Sequence, residues 1–228
     1  MPFLLRILTI ISIVTSLSLA GCEPSDDYSD DDFSSLELPD SGAGSGTTWN
    51  QPTKIDPQVT AQQRSANQGD AEAQYSLGTR YDTGRGVVRN PAEAVRWYQA
   101  AAKQGHVDAQ FNLAISYANG EGIPKDMKEA VRWYQHAALQ GHPEAQVNLG
   151  ICYENGDGVM KNQAEAVRWY GMAAGQGNAI AQFNMGWCYL NGLGIIENRD
   201  EAIRWLRLAA AQGDPDALSL LKELGVSM

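Results

Sequence analysis

The dipeptide Gln-Gly recurs five times at an unbroken 36-residue interval: Gln68-Gly69, Gln104-Gly105, Gln140-Gly141, Gln176-Gly177 and Gln212-Gly213. A self-similar period of this length, kept without insertion, confines the chain to stacked supersecondary units that bury their apolar faces on one another. Between the marks the columns agree. Ala73, Ala109, Ala145 and Ala181 share one. Leu77, Leu113, Leu149 and Met185 share the next, followed by Tyr81, Tyr117, Tyr153 and Tyr189, and by Trp97, Trp133, Trp169 and Trp205.

Each unit reads as two helices. In the first, Asp70, His106, His142, Asn178 or Asp214 stands at the N-cap, and Pro143 and Pro215 occupy the first helical position. Its apolar stripe runs Ala145, Leu149, Tyr153, spaced i, i+4, i+8. A small neighbour (Gly78, Ala114, Gly150 or Gly186) admits the second helix closely. Paired glycines such as Gly120 and Gly122 end the first helix, because a helix C-terminus needs a left-handed residue. The second helix opens on Asn90-x-x-Glu93, Asp126-x-x-Glu129, Asn162-x-x-Glu165 or Asn198-x-x-Glu201. This spacing predicts a capping box, in which the glutamate returns its carboxylate to the cap backbone. The fold expected is an all-α, right-handed αα-solenoid with repeats at 69–104, 105–140, 141–176 and 177–212. A lone helix from Asp56-Pro57 to about Asn67 and a terminal segment 213–228 would cap a solenoid domain of residues 56–228.

The ends of the chain differ from this. Residues 1–21 carry Arg6, then a mostly apolar run from Ile7 to Ala20, too short for a comfortable membrane span. They read as a signal peptide, ending in Leu19-Ala20-Gly21-Cys22. That ending resembles the lipobox of bacterial lipoproteins, which implies lipidation at Cys22; an ordinary secretory signal with an incidental cysteine is the alternative. Residues 22–55 read as an acidic tether, since 23–56 hold nine acids against Lys54 alone. Its few apolar residues are Phe33, Leu36, Leu38 and Trp49. The formal net charge of −10 argues against a nucleic-acid partner. The lipobox places the protein in the cell envelope facing the periplasm, and Glu23 after the cysteine leans toward the outer membrane.

The repeat resembles the Sel-like repeat, a relative of the tetratricopeptide repeat. The resemblance is carried by Ala109-Gln110-x-Asn112-Leu113-x-x-x-Tyr117, by Gly120-x-Gly122, and by Glu129-Ala130-x-x-Trp133-Tyr134-x-x-Ala137-Ala138. Leu206 in the tyrosine column and Arg80 in a small-residue column depart from it. The resemblance implies a concave groove lined by first helices that holds a protein or peptide. The column facing it is Ser76, Asn112, Asn148 and Asn184. An amide offers a donor and an acceptor to a peptide backbone; it could equally bridge adjacent repeats. Glu72, Asp108 and Glu144 lie nearby and favour a cationic or amide-rich partner, or else serve the helix dipole. Phe111 and Phe183 flank them, with Ile115, Ile151 and Trp187 a turn further on. Trp187 is either an aromatic anchor for a partner or a contact to the terminal cap helix.

Other residues are weighed for chemistry. Arg96, Arg132, Arg168 and Arg204 read as solvated i, i+3 partners of the capping glutamates. Cys152 and Cys188 read as small buried thiols, since neighbouring helices stand too far apart for an easy bridge. Ser219-x-x-Lys222 has the spacing of a penicillin-recognising serine but lacks the accompanying motifs, so a serine β-lactamase-like activity is the weakest reading. The histidines show no ligand spacing, and no cofactor, metal or small-molecule substrate is expected. The expected function is a non-catalytic envelope scaffold or adaptor. The alternative, suggested by lipoproteins of this repeat type, is an immunity protein that occludes a secreted phospholipase-like toxin of type VI secretion.

Overall fold

The structure is a computed structural model, and it describes residues 57–226. The expected signal peptide, the expected lipidation site Cys22 and the expected acidic tether lie outside the described residues. Within them the chain forms ten helices. The first is α1 (Pro57–Asn67). Four pairs follow: α2 (Ala71–Thr83) with α3 (Pro91–Lys103), α4 (Val107–Asn119) with α5 (Met127–Leu139), α6 (Pro143–Asn155) with α7 (Gln163–Gly175), and α8 (Ala179–Asn191) with α9 (Arg199–Ala211). The last is α10 (Pro215–Glu223). Each helix packs on the one before and the one after, so the core is a series of small clusters strung along the stack.

The helix starts follow local chemistry. Asp70, His106, His142, Asn178 and Asp214 each accept the backbone N–H three residues on. Asn90, Asp126, Asn162 and Asn198 do the same for the second helices. The capping boxes, however, are only half formed. The cap N–H groups of Asn90, Asp126, Asn162 and Asn198 donate to the carbonyls of Tyr81, Tyr117, Tyr153 and Tyr189 at 2.8–2.9 Å. The glutamates turn instead to arginines one turn on, with Glu93–Arg96 at 2.9 Å and Glu129–Arg132 at 2.7 Å. A backbone carbonyl held by the preceding helix satisfies the donor that the box would have used.

The glycines after α4 have two different tasks. Gly120 ends the helix in the left-handed conformation at φ 74°. Gly122 faces the previous repeat, and a Cβ there would run into the carbonyl of Pro91. The small column works in the same way. A Cβ on Gly150 would come 2.5 Å from Cε1 of Tyr170, which is 1% exposed. The buried tyrosines thus lie directly on helix backbone, and the repeats stack tightly.

The end helices break the same columns. Gln62 stands one period before Tyr98, and Lys222 one period after Gly186. Gln62 donates to the Ser76 hydroxyl and accepts from Arg80 Nε at 2.6 Å. Arg80, which departs from its column, thereby reaches the cap helix. A polar residue where the repeat buries a tyrosine, and an exposed lysine where it needs glycine, close the stack at both ends.

Candidate protein-binding face on the first helices

The residues singled out for binding fall on α2, α4, α6 and α8. The asparagine column is engaged across the repeat junctions. The Asn112 amide lies beside the phenols of Tyr98 and Tyr75, and Asn148 beside that of Tyr134. For the second-helix tyrosines, Tyr98 and Tyr134, the spacing is fourteen residues, as it is between Gln62 and Ser76. Asn184 is half-buried in the same column.

The acidic column is also engaged. His106 Nδ1 accepts the Ala109 N–H at 3.3 Å, so Nε2 carries the ring proton and donates to Glu72 at 3.0 Å. His142 repeats this one period later. Its Nδ1 accepts from Ala145 at 3.2 Å and its Nε2 lies 3.4 Å from Asp108, with Glu144 also 3.4 Å from the ring. The histidine rings stack on Tyr75 (4.5 Å between centroids) and on Phe111 (4.4 Å). Each histidine therefore caps its own helix, stacks on the preceding first helix and meets that helix's acid. The carboxylates remain exposed.

Ile115 and Ile151 are half-buried, each resting on the core cluster of its own repeat. Phe183 and Trp187 pack against the cluster formed by Leu206, Ala209, Ala217, Leu220 and Leu221, which includes the cap helix α10. Val147, in the column of Phe111 and Phe183, is buried.

A second set of residues was legible only as punctuation. Gln74, Gln110, Gln146 and Gln182 are the buried polar residues among those described. Each donates to a carbonyl near the end of the preceding helix: Ala66, Ala102, Ala138 and Ala174, at 3.0–3.4 Å. Each also accepts from the glutamine of the next Gln-Gly pair at 2.7–2.8 Å. The matching period of Ala-Gln and Gln-Gly was the available signal. A contact between residues thirty apart is visible only once the helices are stacked.

Cys152 and Cys188 are free and buried, and burial pushes both thiols up to about 12. Arg96, Arg132, Arg168 and Arg204 form exposed i, i+3 pairs. Ser219 is half-buried and Lys222 exposed on α10. Among the described residues no group of three His, Cys, Asp or Glu side chains could hold a metal ion. No described helix is long and apolar enough to cross a membrane.

Known proteins share this arrangement. The Sel1 repeat matches residues 71–106, 107–142, 143–178 and 179–214. The crystal structure of c5321, a protective antigen of uropathogenic Escherichia coli with an SLR fold, superposes with a TM-score of 0.71 at 38% identity, over 74% of this chain and 37% of that one. A Sel1 repeat protein from Oxalobacter formigenes gives 0.66 at 36% identity, over 72% of this chain and 65% of that one. The chain thus spans less than two thirds of either relative. The immunity protein PA5088 from Pseudomonas aeruginosa aligns at 0.45 and 23% identity, over 74% of this chain and 62% of that one. No curated protein matches the chain. Solenoids of this kind are typically non-catalytic and suited to binding other proteins. With four consecutive matches covering more than half its length, the chain is a member of the Sel1 repeat family.

Proposed function

We propose that the chain is a protein-binding module tethered to the cell envelope, and that it holds a polypeptide partner on the first-helix face as a scaffold or adaptor. One observation carries this reading. Through successive repeats the face keeps half-exposed apolar and amide side chains side by side, Phe111, Asn112 and Ile115, then Asn148 and Ile151, then Phe183, Asn184 and Trp187. Packing would be served by burying them, and solubility by charging them. An asparagine that meets a phenol still has donor and acceptor capacity for a peptide backbone. The exposed carboxylates of Glu72, Asp108 and Glu144 border the strip and favour a cationic partner segment. The tether reading is supported by Leu19-Ala20-Gly21-Cys22 after an apolar run.

A photo-crosslinking residue at Ile115 or Ile151 in native envelopes tests the face, with Arg132 on the second-helix surface as the control position. The expected result is one defined adduct from Ile115 and Ile151 and none from Arg132. Equal adducts from both surfaces would remove the face from the reading. Labelling with radioactive palmitate tests the anchor: label is expected on the parent and not on Cys22→Ser, and an unlabelled parent would overturn it.

A further inference from the structure

The first helices take their N-caps from two kinds of side chain. Asp70, Asn178 and Asp214 cap with an oxygen, whereas His106 and His142, in successive repeats, cap with a ring nitrogen. Aspartate and asparagine oxygens remain acceptors across the neutral range. A histidine Nδ1 accepts only through its lone pair, and it becomes a donor when the ring is protonated. Of these five caps, two can therefore be switched off by a single proton each.

At each histidine the partners of a charged ring are already in place. His142 Nδ1 lies 3.2 Å from the Ala145 N–H and 3.4 Å from a Glu144 carboxylate oxygen. A neutral ring satisfies the first and turns its lone pair toward the second. A cationic ring satisfies the second and must give up the first. Its Nε2 lies 3.4 Å from Asp108. His106 Nε2 donates to Glu72 at 3.0 Å, a bond that becomes charge-assisted when the ring gains a proton. Asp108 stands two residues after His106, as Glu144 stands after His142. Tyr75 stacks on His106 and lies within the influence of both Glu72 and Asp108; Phe111, on His142, carries no charge. The second helix before His106 brings Lys103, three residues earlier, and Leu139 holds that place before His142. The two histidine side chains are 14% and 13% exposed, which admits a proton but leaves the rings little room to swing away. In the same register Asp214 follows Ile180 and not an acid, so cap and column are matched in charge there too.

We infer that His106 and His142 regulate the first-helix face by pH. On protonation they release the Ala109 and Ala145 N–H groups, and the border of Glu72, Asp108 and Glu144 with its two histidines falls from three negative charges to one. A cationic partner segment lying along that border is then held less tightly. The loss of the caps stands by itself; its effect on a partner rests on the function proposed above.

Amide hydrogen exchange on the isotope-labelled chain, with each rate divided by that of the same amide in an unfolded peptide at the same pH, tests the caps without any partner. From about pH 7.5 to about pH 5.5, the span in which imidazole takes up its proton, Ala109 and Ala145 should lose about five-fold in protection, the factor that a typical cap contributes. Ala73 and Ala181, capped by Asp70 and Asn178, should keep theirs. The variant His106→Asn, His142→Asn, which copies the cap at Asn178, should keep it at Ala109 and Ala145 as well. Unchanged protection of Ala109 and Ala145 in the parent, or an equal loss at Ala73 and Ala181, would overturn the inference. In envelopes the Ile115 adduct should be several-fold fainter at the lower pH in the parent but not in the variant. Equal fading in both would overturn the regulatory role. An adduct missing at both pH values, with the caps still lost in acid, would overturn the binding face and the regulation of it, and leave the pH-sensitive caps standing.

Discussion

The side-chain amide of Gln104 donates to the side-chain oxygen of Gln74, thirty residues earlier, at 2.7 Å. Gln74 in turn donates to the carbonyl of Ala66 in the preceding helix. The same two bonds recur at every junction to Gln212 and Gln182, making a polar thread through an otherwise apolar stack. A buried amide in such a place has both its oxygen and its nitrogen engaged, and so ties three helices together at a fixed offset.

Removing one link should be costly. Gln146 is 1% exposed, donates to Ala138 and accepts from Gln176. Gln146→Leu removes two hydrogen bonds at about 0.5–1.5 kcal/mol each, about 1–3 kcal/mol together, while the exposed Gln176 amide turns to water. The Ala138 carbonyl still accepts from Gly141, which favours the lower half of that range. Urea unfolding measures the loss. A double-mutant cycle with Gln176→Ala should return coupling of about 1 kcal/mol; strict additivity would show that the bond carries no stability.

Gly150→Ala should destabilise although alanine is the better helix former. The new methyl meets the Tyr170 ring, whose phenol is held by Glu154 at 2.6 Å. Overpacking of this kind costs about 1–3 kcal/mol against a propensity gain of about 1. Ala114 occupies the same column opposite Tyr134, whose phenol lies beside Asn148 and not a carboxylate. Releasing the Tyr170 ring with Glu154→Ala should therefore make the Gly150 change cheaper than it is in the parent. Thermal melts of the single and double variants decide this.

The half-formed capping boxes separate two residues that a sequence motif treats as equals. Asn90→Ala removes the cap acceptor of α3 and should cost about 1 kcal/mol. Glu93→Ala removes only an exposed pair with Arg96, which is worth a few tenths, about 0.3–0.5 kcal/mol. Equal losses in chemical denaturation would mean that the glutamate caps the backbone after all.

Stability should decline in alkali. Burial, aided by Asp157 and Glu154 respectively, raises the Cys152 and Cys188 thiols from 9.0 to about 12. Between pH 9 and 12 the unfolded chain releases these protons and the folded chain keeps them. The contribution is intact below pH 9 and shrinks as pH rises, by at most about 1.4 kcal/mol per pH unit for each thiol. Burial raises the Tyr98, Tyr134 and Tyr170 phenols as well, and they steepen the fall. The Cys152→Ala, Cys188→Ala variant should lose stability less steeply across this window, as read from urea midpoints at successive pH values. An unchanged slope would show that the thiols take no part.

The repeat, its helices and its caps were determined by the sequence alone. A 36-residue period, N-cap residues such as Asp70 and Asn162, and prolines at first helical positions act within a few residues of the chain, so their effect needs no knowledge of the fold. What lay across repeats was decided only by stacking. Gln104 read as punctuation, Asn112 as either a groove amide or a bridge between repeats, and His106 as a simple cap. Each meets a residue fourteen to thirty-four positions away in sequence that is brought beside it only when the helices pack. The capping glutamates went the other way, because a tyrosine carbonyl from the preceding helix took the donor that local spacing had reserved for them. Local backbone chemistry is written in neighbouring residues; the choice among competing hydrogen-bond partners is made by tertiary geometry.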